Sequence, residues 1–243
     1  MIDLHSHILP GLDDGALDLA DSLAMARVAV SDGISAVCAT PHIRGDHDVR
    51  IEELPRRTEE LQSALDGAGI GLRIEPGGEV SARVADTLSD SHLRVTCIGH
   101  RDWLLLEPAP GPIDASFTEL VDRLCSRAVR TVVAHPERHA GDGFESMLHE
   151  LSERGCLLQW TAAFLADADR ETAAYLGGLA RRGLIHLLAS DAHSSHGGRP
   201  LKLARGAQRL GELSSGALAS WSVEEGPAAV LRGGAVTPPR PGG

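Results

Sequence analysis

Asp3-Leu4-His5-Ser6-His7 is the stretch of sequence that decides the fold, because an apolar run ends here in two histidines two positions apart. In an extended backbone, residues i and i+2 point to the same face. His5 and His7 can therefore direct two imidazoles at one point, where a divalent metal ion is the natural acceptor. A His-x-His pair alone is a weak signal, so the interpretation depends on the rest of the chain.

Three later segments repeat the pattern of a short apolar run that ends in a ligand-type residue. They are Cys38-Ala39-Thr40-Pro41-His42, Val132-Val133-Ala134-His135-Pro136 and Leu187-Leu188-Ala189-Ser190-Asp191-Ala192-His193. Four strand-like runs that each end in imidazole or carboxylate are hard to explain as histidines that only fill a core. The sequence therefore predicts a metal site built from the ends of several strands.

Strand-like runs alternate with amphipathic stretches along most of the chain. The spacing predicts strands at 2–5, 36–40, 72–75, 103–107, 131–134, 156–160 and 185–189, and helices at 19–32, 51–68, 116–127, 144–154, 170–182 and 200–213. Strands that alternate with helices of this length predict parallel β-α-β units. About seven such units favour one closed or nearly closed α/β barrel, for which 243 residues is an ordinary length.

The composition shifts towards Ser, Gly, Ala and Pro after Ser214. We therefore expect the barrel to occupy residues 1–213 and a C-terminal extension to occupy residues 214–243. Within this extension, the sequence predicts one short helix near 223–232 and a disordered tail over 233–243.

The overall charge restricts the class of partner. The formal net charge is −11, with 34 acidic residues against 23 basic ones, which argues against a nucleic-acid-binding protein. It leaves a phosphorylated substrate open, since bound metal ions can dominate the local potential. The four cysteines show no C-x-x-C spacing, and no signal peptide or membrane-spanning run is present, so we expect a cytoplasmic protein with reduced thiols.

Ligand-type residues follow the predicted strands at their carboxyl ends, which meet on the face of a barrel where active sites lie. These residues are His5, His7, His42, Glu79, Glu107, His135, Asp191 and His193, with Asp13 or Asp14 from the loop after the first strand. This set is too large for one ion, and its mixture of imidazole and carboxylate suits Zn, Mn or Fe better than Ca or Mg. Two or three ions could generate hydroxide and hold the attacking and leaving oxygens of a phosphoryl group.

Two arginines fit a phosphate-binding role. Arg138 lies just beyond His135, and Arg199 follows Gly197 and Gly198 after the last ligand-type loop. A guanidinium group can bind phosphate through two parallel hydrogen bonds, and the glycines allow close approach of the backbone.

The motifs together resemble the polymerase and histidinol phosphatase (PHP) superfamily, and more narrowly its manganese-dependent bacterial tyrosine phosphatases that regulate capsule and exopolysaccharide synthesis. The resemblance covers about residues 1–210. It is carried by the run Met1-Ile2-Asp3-Leu4-His5-Ser6-His7-Ile8-Leu9-Pro10-Gly11-Leu12-Asp13-Asp14-Gly15 and by the residues around His42, Glu79, Glu107, Arg138 and Asp191, which occur in order and at compatible spacing.

This resemblance implies a distorted (β/α)7 TIM-like barrel with three divalent ions, most often Mn, with Fe or Zn as alternatives. His5, His7, Glu79 and Asp191 would hold one ion, Glu79, Glu107 and His135 a second, and Asp14, His42 and His193 a third. A metal-bound hydroxide would attack phosphorus while Arg138 and Arg199 bind the phosphate oxygens. The substrate would be phosphotyrosine on the tail of a bacterial tyrosine autokinase. Relatives commonly carry Asn where this chain has Thr161, and His196 stands in a slightly longer loop.

Three other functions compete with this interpretation. A small-molecule phosphatase of the same superfamily, acting for example on histidinol phosphate, would use the same ligands. A barrel kept only for partner binding would be expected to have lost several of them, and a nuclease would be expected to have a basic surface. The histidines without ligand-type context are His47, His92, His100, His139, His149 and His186, of which His47, His100 and His139 lie in or near loops that could reach the mouth of the site.

Overall fold

The computed structural model describes residues 1–195 and 199–239, so the expectations for His196, Gly197 and Gly198 and for residues 240–243 lie outside the described residues. Within the described ranges the chain forms nine strands and eleven α-helices. The strands are β1 Ile2–Ser6, β2 Ala36–Ala39, β3 His42–Ile43, β4 Arg73–Pro76, β5 Glu79–Ser81, β6 Trp103–Glu107, β7 Arg130–Ala134, β8 Leu157–Thr161 and β9 Leu187–Ala189. The helices are α1 Leu19–Ser31, α2 Leu54–Gly67, α3 Ala82–Ala85, α4 Asp90–Thr96, α5 Ala115–Ser126, α6 Phe144–Glu153, α7 Ala162–Ala166, α8 Arg170–Arg181, α9 Ala204–Leu213, α10 Gly216–Val223 and α11 Glu225–Arg232.

All the strand pairs are parallel, and they form two sheets with the orders β1-β2-β4 and β3-β5-β6-β7-β8-β9. Strand β3 begins shortly after β2 ends, and β5 begins shortly after β4 ends. Each pair is therefore one barrel strand with a break in it, whose first part lies in one sheet and whose second part lies in the other. A parallel bridge between Ser6 and Ala192 joins the other edges, supported by a 2.8 Å hydrogen bond from His7 N to Ala192 O. The fold is the distorted seven-stranded α/β barrel that the resemblance implies.

Glu79 begins a strand, although the sequence predicts it in the turn after the third strand. It lies opposite Leu105 of β6 in the parallel pairing, which places its side chain at a fixed register. The preceding Gly78 makes this possible because a Cβ atom there would lie 3.0 Å from the Ile43 side chain. The glycine therefore lets β4 bend into β5 without displacing the neighbouring strand.

Aspartates set the ends of several helices. Asp18, Asp114 and Asp169 each accept a first-turn N–H and so fix the starts of α1, α5 and α8. Helix α9 begins four residues after its predicted start at 200, because Asp32 accepts the N–H groups of Leu203 and Ala204 at 2.7 and 2.9 Å. None of the described helices is long and apolar enough to cross a membrane.

The core has an inner and an outer layer, as the alternation of side chains along a strand requires. In β6, Trp103 and Leu105 join the cluster that fills the barrel, while Leu104 and Leu106 pack in the larger cluster beneath the helices. The inner cluster also contains Val230 of α11, which is fully buried. A residue from outside the barrel strands thus completes the packing inside the barrel.

The C-terminal segment contains two helices, α10 and α11, where the sequence predicts one. The indole Nε1 of Trp103 donates a 2.9 Å hydrogen bond to Gly234 O, and Gly234 N donates to the Asp102 carboxylate at 3.0 Å. The segment after α11 is therefore held against the barrel at a point inside the range predicted as a disordered tail.

Candidate metal centre

The ligand-type side chains predicted from the sequence meet at one end of the barrel, where the parallel strands have their carboxyl ends. His5, His7, His42, Glu79, His135 and Asp191 are buried there. Glu107 and His193 are partly exposed, and the Asp14 side chain is 55% exposed. The cluster is therefore closed on the barrel side and open at its rim.

Glu79 lies at the centre of this cluster. Its Oε2 atom lies 3.3 Å from His5 Nε2 and 3.4 Å from His7 Nε2. The same oxygen lies 2.8 Å from His42 Nδ1, and the Oε1 atom lies 2.9 Å from His135 Nε2. Glu79 Oε2 and His42 Nδ1 are buried and have no hydrogen-bond partner among the described residues. Buried acceptors that approach one another without a hydrogen bond fit a shared cation between them.

The ligand atoms fall into four overlapping groups within the described part of the chain, and the atoms of each group lie within 4.8 Å of one another. The groups are His7, Asp14, His42 and His193; His5, His135 and Asp191; His5, His7 and Glu79; and His42, Glu79 and Glu107. Two ligands on one ion with bonds of about 2.1 Å lie up to about 4.2 Å apart, so each group is close to the size of a coordination shell. Glu107 groups with His42 here, whereas the resemblance implies His135 as its neighbour. The shared residues leave room for several adjacent ions.

Asp13 and Asp14, which the sequence leaves as alternatives, occupy different positions. The Oδ1 atom of Asp14 lies 3.4 Å from His42 Nε2 and 3.5 Å from His193 Nε2. Asp13 Oδ2 instead lies 2.7 Å from His7 Nδ1 and accepts the His42 backbone N–H at 2.9 Å. Asp14 therefore faces the candidate ion sites, while Asp13 contacts the ring nitrogen of His7 that points away from them.

Gln159 holds a second imidazole in the same way. Its Oε1 atom lies 2.9 Å from His5 Nδ1, so this nitrogen carries the proton and Nε2 presents its lone pair to the cluster. The sequence gives Gln159 no distinct signal beyond being a polar residue inside an apolar strand. Such partners of metal-binding histidines are recognised only when the fold brings them together.

The charges in the cluster stabilise one another. Burial alone would raise the pKa of Glu79, but His5, His135 and His42 hold that pKa well below its usual value. Burial alone would lower the pKa values of His5 and His7, yet facing carboxylates such as Glu79 raise both. The carboxylates therefore favour cations at these positions, either as imidazolium groups or as metal ions that displace their protons.

The backbone is strained at two of the cluster residues. His135 has φ = 29° and Asp191 has φ = 51°, in the left-handed region that non-glycine residues seldom adopt. Strain of this kind persists where surrounding contacts fix the conformation, and it is concentrated at functional sites. At both positions it turns the side chain at a strand end towards the cluster.

Arg138 and Arg199 both contact Asp191 at the rim. Arg138 Nη2 donates to Asp191 Oδ2, and Arg199 Nε lies 3.2 Å from the same oxygen. Arg199 also donates to the Asp191 backbone oxygen at 2.8 Å and lies 2.9 Å from His193 Nδ1 through its Nη2. Their side chains are 36% and 37% exposed, so both guanidinium groups can meet a ligand from solvent.

Two of the remaining histidines lie against the cluster. The ring of His47 stacks on His42 with centroids 5.4 Å apart, and that of buried His139 lies 5.9 Å from His135. The others belong elsewhere: His92 pairs with Glu52, His149 is exposed, His186 is buried among backbone partners, and His100 lies in a 3-10 helix.

Comparison with known proteins gives one consistent relationship. The family model for capsular polysaccharide synthesis, CpsB/CapC, matches residues 1–219. The tyrosine-protein phosphatase YwqE of Bacillus subtilis is 34% identical over 199 residues, which is 80% of this chain and 78% of the relative. The tyrosine-protein phosphatase CpsB of Streptococcus pneumoniae is 23% identical over 80% of this chain and 83% of its own length.

The solved structures agree with the sequence relatives. A structure from the work on YwqE of Bacillus subtilis and CpsB of Streptococcus pneumoniae, described as unique metal-dependent tyrosine phosphatases, has a TM-score of 0.86 at 31% identity and covers 99% of both chains. The TatD homologue YJJV of Escherichia coli has a TM-score of 0.53 at 17% identity, over 95% of this chain and 97% of its own. This second likeness concerns the fold alone.

Proposed function

Because this chain belongs to the capsular polysaccharide synthesis family CpsB/CapC, we propose that it is a metal-dependent protein-tyrosine phosphatase. The names of the relatives support the reaction, and the structural likeness to metal-dependent tyrosine phosphatases supports the need for metal. The single observation that carries the chemistry is the four overlapping groups of imidazole and carboxylate atoms, two of which contain Glu79.

The metal ions would be held by the nine side chains that the sequence singles out. These are His5, His7, Asp14, His42, Glu79, Glu107, His135, Asp191 and His193, and three ions, most suitably Mn with Fe or Zn as alternatives, would use the whole set. Bound ions of this type lower the pKa of water and stabilise negative charge on phosphoryl oxygens. The burial of Glu79 and its histidines strengthens these interactions because little water competes inside the barrel.

The protein's own contribution to phosphate binding would come from Arg138 and Arg199. Arg138 can keep its contact to Asp191, and Arg199 its contacts to Asp191 and His193, while each offers a remaining nitrogen to a phosphate oxygen, since a guanidinium group has five donors. Their positive charges would then face the negative charge that develops during phosphoryl transfer. Asp13 and Gln159 would keep the His7 and His5 rings oriented throughout.

The substrate would be phosphotyrosine in a protein, for example in the tail of a bacterial tyrosine autokinase met in the cytoplasm. An open rim with two partly exposed arginines suits a phosphorylated side chain that enters from solvent. The catalytic unit would be the barrel over residues 1–213, with residues 214–243 as an extension.

The test compares substrates at one Mn concentration, with and without a chelator. We expect a phosphotyrosyl peptide to be hydrolysed faster than a phosphoseryl peptide or histidinol phosphate, and we expect the chelator to abolish turnover. His7→Ala should lose activity by orders of magnitude together with its bound metal, measured by elemental analysis. Faster turnover of histidinol phosphate would favour a small-molecule phosphatase, whereas no activity with any metal would favour a binding module.

A further inference from the structure

A cavity of about 540 Å³ opens beside the two arginines, between the end of β8, α7 and the start of α8. Arg138 and Arg199 line it, so the cavity is continuous with the rim of the metal centre. A cavity of only about 150 Å³ accommodates a benzene ring. The space is therefore sufficient for an aromatic side chain next to the arginines.

An aromatic surface lines this cavity. Phe164 of α7 is 39% exposed and is one of the few large apolar side chains at the surface of the described chain. Its ring stacks on the buried Trp160, with centroids 6.5 Å apart and planes 26° apart. Trp160 is itself fixed by a 2.9 Å hydrogen bond from Nε1 to Leu184 O. The exposed ring is thus supported by the core between the barrel and the helices, which reduces the entropy lost when a ligand packs on it.

Two acidic groups of the cavity, Asp167 and Asp169, already have partners, whereas Glu137 accepts the Thr161 N–H with Oε1 and its buried Oε2 has no hydrogen-bond partner among the described residues. Asp169 accepts the Thr172 N–H at 2.8 Å as the cap of α8, and Asp167 lies 3.3 Å from Arg205. These carboxylates are therefore poor candidates for binding a basic ligand. The apolar part of the wall, which includes Ala163, is left to make the contacts with a ligand.

A buried hydroxyl in the same cavity has no partner. Thr161 is 6% exposed, and its Oγ1 atom makes no hydrogen bond within the described residues, although its backbone N–H donates to Glu137 Oε1 at 3.1 Å. A buried polar atom of this kind calls for an explanation, and a ligand oxygen is one that fits its position in the cavity wall.

We propose that this cavity receives the phenyl ring of the phosphotyrosyl residue and that Phe164 selects phosphotyrosine over phosphoserine. The inference rests on the proposed function and adds the subsite that chooses the substrate side chain. With the phosphate on Arg138 and Arg199, the ring lies in the cavity, packs on Phe164 and presents its ester oxygen towards Thr161. A phosphoserine side chain has no ring, so it leaves the apolar wall uncovered.

The decisive experiment measures the binding of two non-hydrolysable phosphonates by calorimetry, using the Mn-loaded protein. We expect the wild type to bind phenylphosphonate at least about tenfold more tightly than methylphosphonate, from the stacking and burial of one ring. Phe164→Ala should reduce this preference to about twofold while the affinity for methylphosphonate stays the same. Phe164→Trp should retain the preference because it keeps an aromatic face.

The matched control is Tyr175→Ala, which removes an aromatic ring of similar exposure, 42%, outside the cavity. It should keep the wild-type preference. Thermal unfolding verifies that each variant is folded, and Phe164→Leu replaces Phe164→Ala if the latter is not. With phosphotyrosyl and phosphoseryl peptides, Phe164→Ala should lower the ratio of the two kcat/KM values about tenfold.

The outcomes separate the subsite from the function. Equal binding of the two phosphonates by the wild type, or an unchanged preference in a folded Phe164→Ala or Phe164→Leu protein, overturns the subsite and leaves the phosphatase intact. Failure of the wild type to bind either phosphonate overturns the phosphoryl site itself, and the subsite with it.

Discussion

Asp13 holds the His7 ring through a contact of 2.7 Å between its Oδ2 and the ring Nδ1. Groups in this position fix the orientation and tautomer of a metal-binding histidine and typically change metal affinity by about 10–100-fold when removed. We expect Asp13→Ala to weaken Mn binding by about that factor in a calorimetric titration, with a smaller loss in Asp13→Asn, which retains one acceptor. Asp66→Ala in the last turn of α2 is the matched control, and an equal loss there would contradict the assignment.

Removal of Arg138 is expected to separate phosphate binding from metal binding. Without its guanidinium group, the negative charge on the phosphoryl oxygens is stabilised by one hydrogen-bond donor fewer. By analogy with other lost oxyanion donors, this raises the activation free energy by about 3–4 kcal/mol and lowers kcat by about 10²–10³. Arg138→Ala should show this loss in steady-state kinetics while it binds Mn with wild-type affinity. Arg209→Ala, which only breaks the surface pair with Glu212, should change neither. Undiminished turnover in Arg138→Ala would remove this residue from the mechanism.

His186 makes the stability of the barrel depend on pH. It is buried, accepts the Leu158 N–H at 2.9 Å through Nδ1 and donates through Nε2 to Gly183 O at 2.8 Å. Burial lowers its pKa from 6.5 to about 4, so the unfolded chain binds the proton more readily between these values. The contribution of neutral His186 to the free energy of unfolding is therefore fully present above about pH 6.5, and it decreases as the pH falls towards 4.

The measurement is the free energy of unfolding in denaturant, with a chelator present, at pH 7 and pH 5. The wild type should lose about 2 kcal/mol more than His186→Gln over this interval, because Gln does not titrate. Parallel pH dependence in the two proteins would show that His186 is not responsible.

Gly206 sets the distance between α9 and α7, the helix that carries Phe164. A Cβ atom at Gly206 would lie 2.6 Å from the Ala162 backbone oxygen, so the helices could not remain in place. We expect Gly206→Ala to lower the free energy of unfolding by about 1–3 kcal/mol, the usual range for overpacking. At Gly211 of the same helix the added Cβ would meet its nearest atom at 3.5 Å, an ordinary contact.

Gly211→Ala is therefore the matched control for the helix contact. It should be neutral or stabilising by up to about 1 kcal/mol, because Ala favours the helix more than Gly does. Denaturant unfolding of both variants gives the comparison, and similar effects at the two positions would mean that close helix packing is not the cause.

The elements that the sequence predicts are those with a clear pattern. The unbroken apolar run of β6 and the helical spacing of α8 predict both elements close to their observed bounds. Strands β3 and β5 span only two and three residues, which is too short for any period to be visible. Helix α10 was not predicted because its buried face includes the polar Ser222 while its other face carries the apolar Ala217 and Trp221, so the sequence shows no amphipathic pattern.

The same limit applies to the candidate site. His5, His42, Glu107, His135 and Asp191 could be predicted because each follows an apolar run, so the local sequence identifies the strand end near which it stands. Glu79, which begins a short strand, and Asp14, which lies in a loop, have no such run before them. Gln159 could not be predicted, since its partner His5 is 154 residues away and only the closure of the barrel brings the two atoms together. Likewise, the separate roles of Asp13 and Asp14 depend on the path of one loop over His42.

In the whole molecule, one end of the barrel carries the candidate metal centre and the other end carries packing contacts with the C-terminal segment. The candidate metal centre occupies the carboxyl ends of the strands, whereas α11 contributes Val230 to the inner core, and Gly234 binds Trp103 and Asp102 at the amino end of β6. The candidate ligands and the packing at the amino end of the barrel are therefore carried by different parts of the chain. A change at the amino end should affect stability without affecting the ligands directly.

Deletion of residues 225–243 tests this separation. It removes Val230 from the inner core, which costs about 1.5–3 kcal/mol, and leaves the Trp103 indole N–H without its acceptor, which costs about 1–3 kcal/mol. For a chain of this size we expect the midpoint of thermal unfolding to fall by about 10–15 °C. Below the transition, the truncated protein should still bind Mn with wild-type affinity, because the nine ligand-type residues are retained. An unchanged midpoint after removal of α11 would show that this helix does not stabilise the amino end of the barrel.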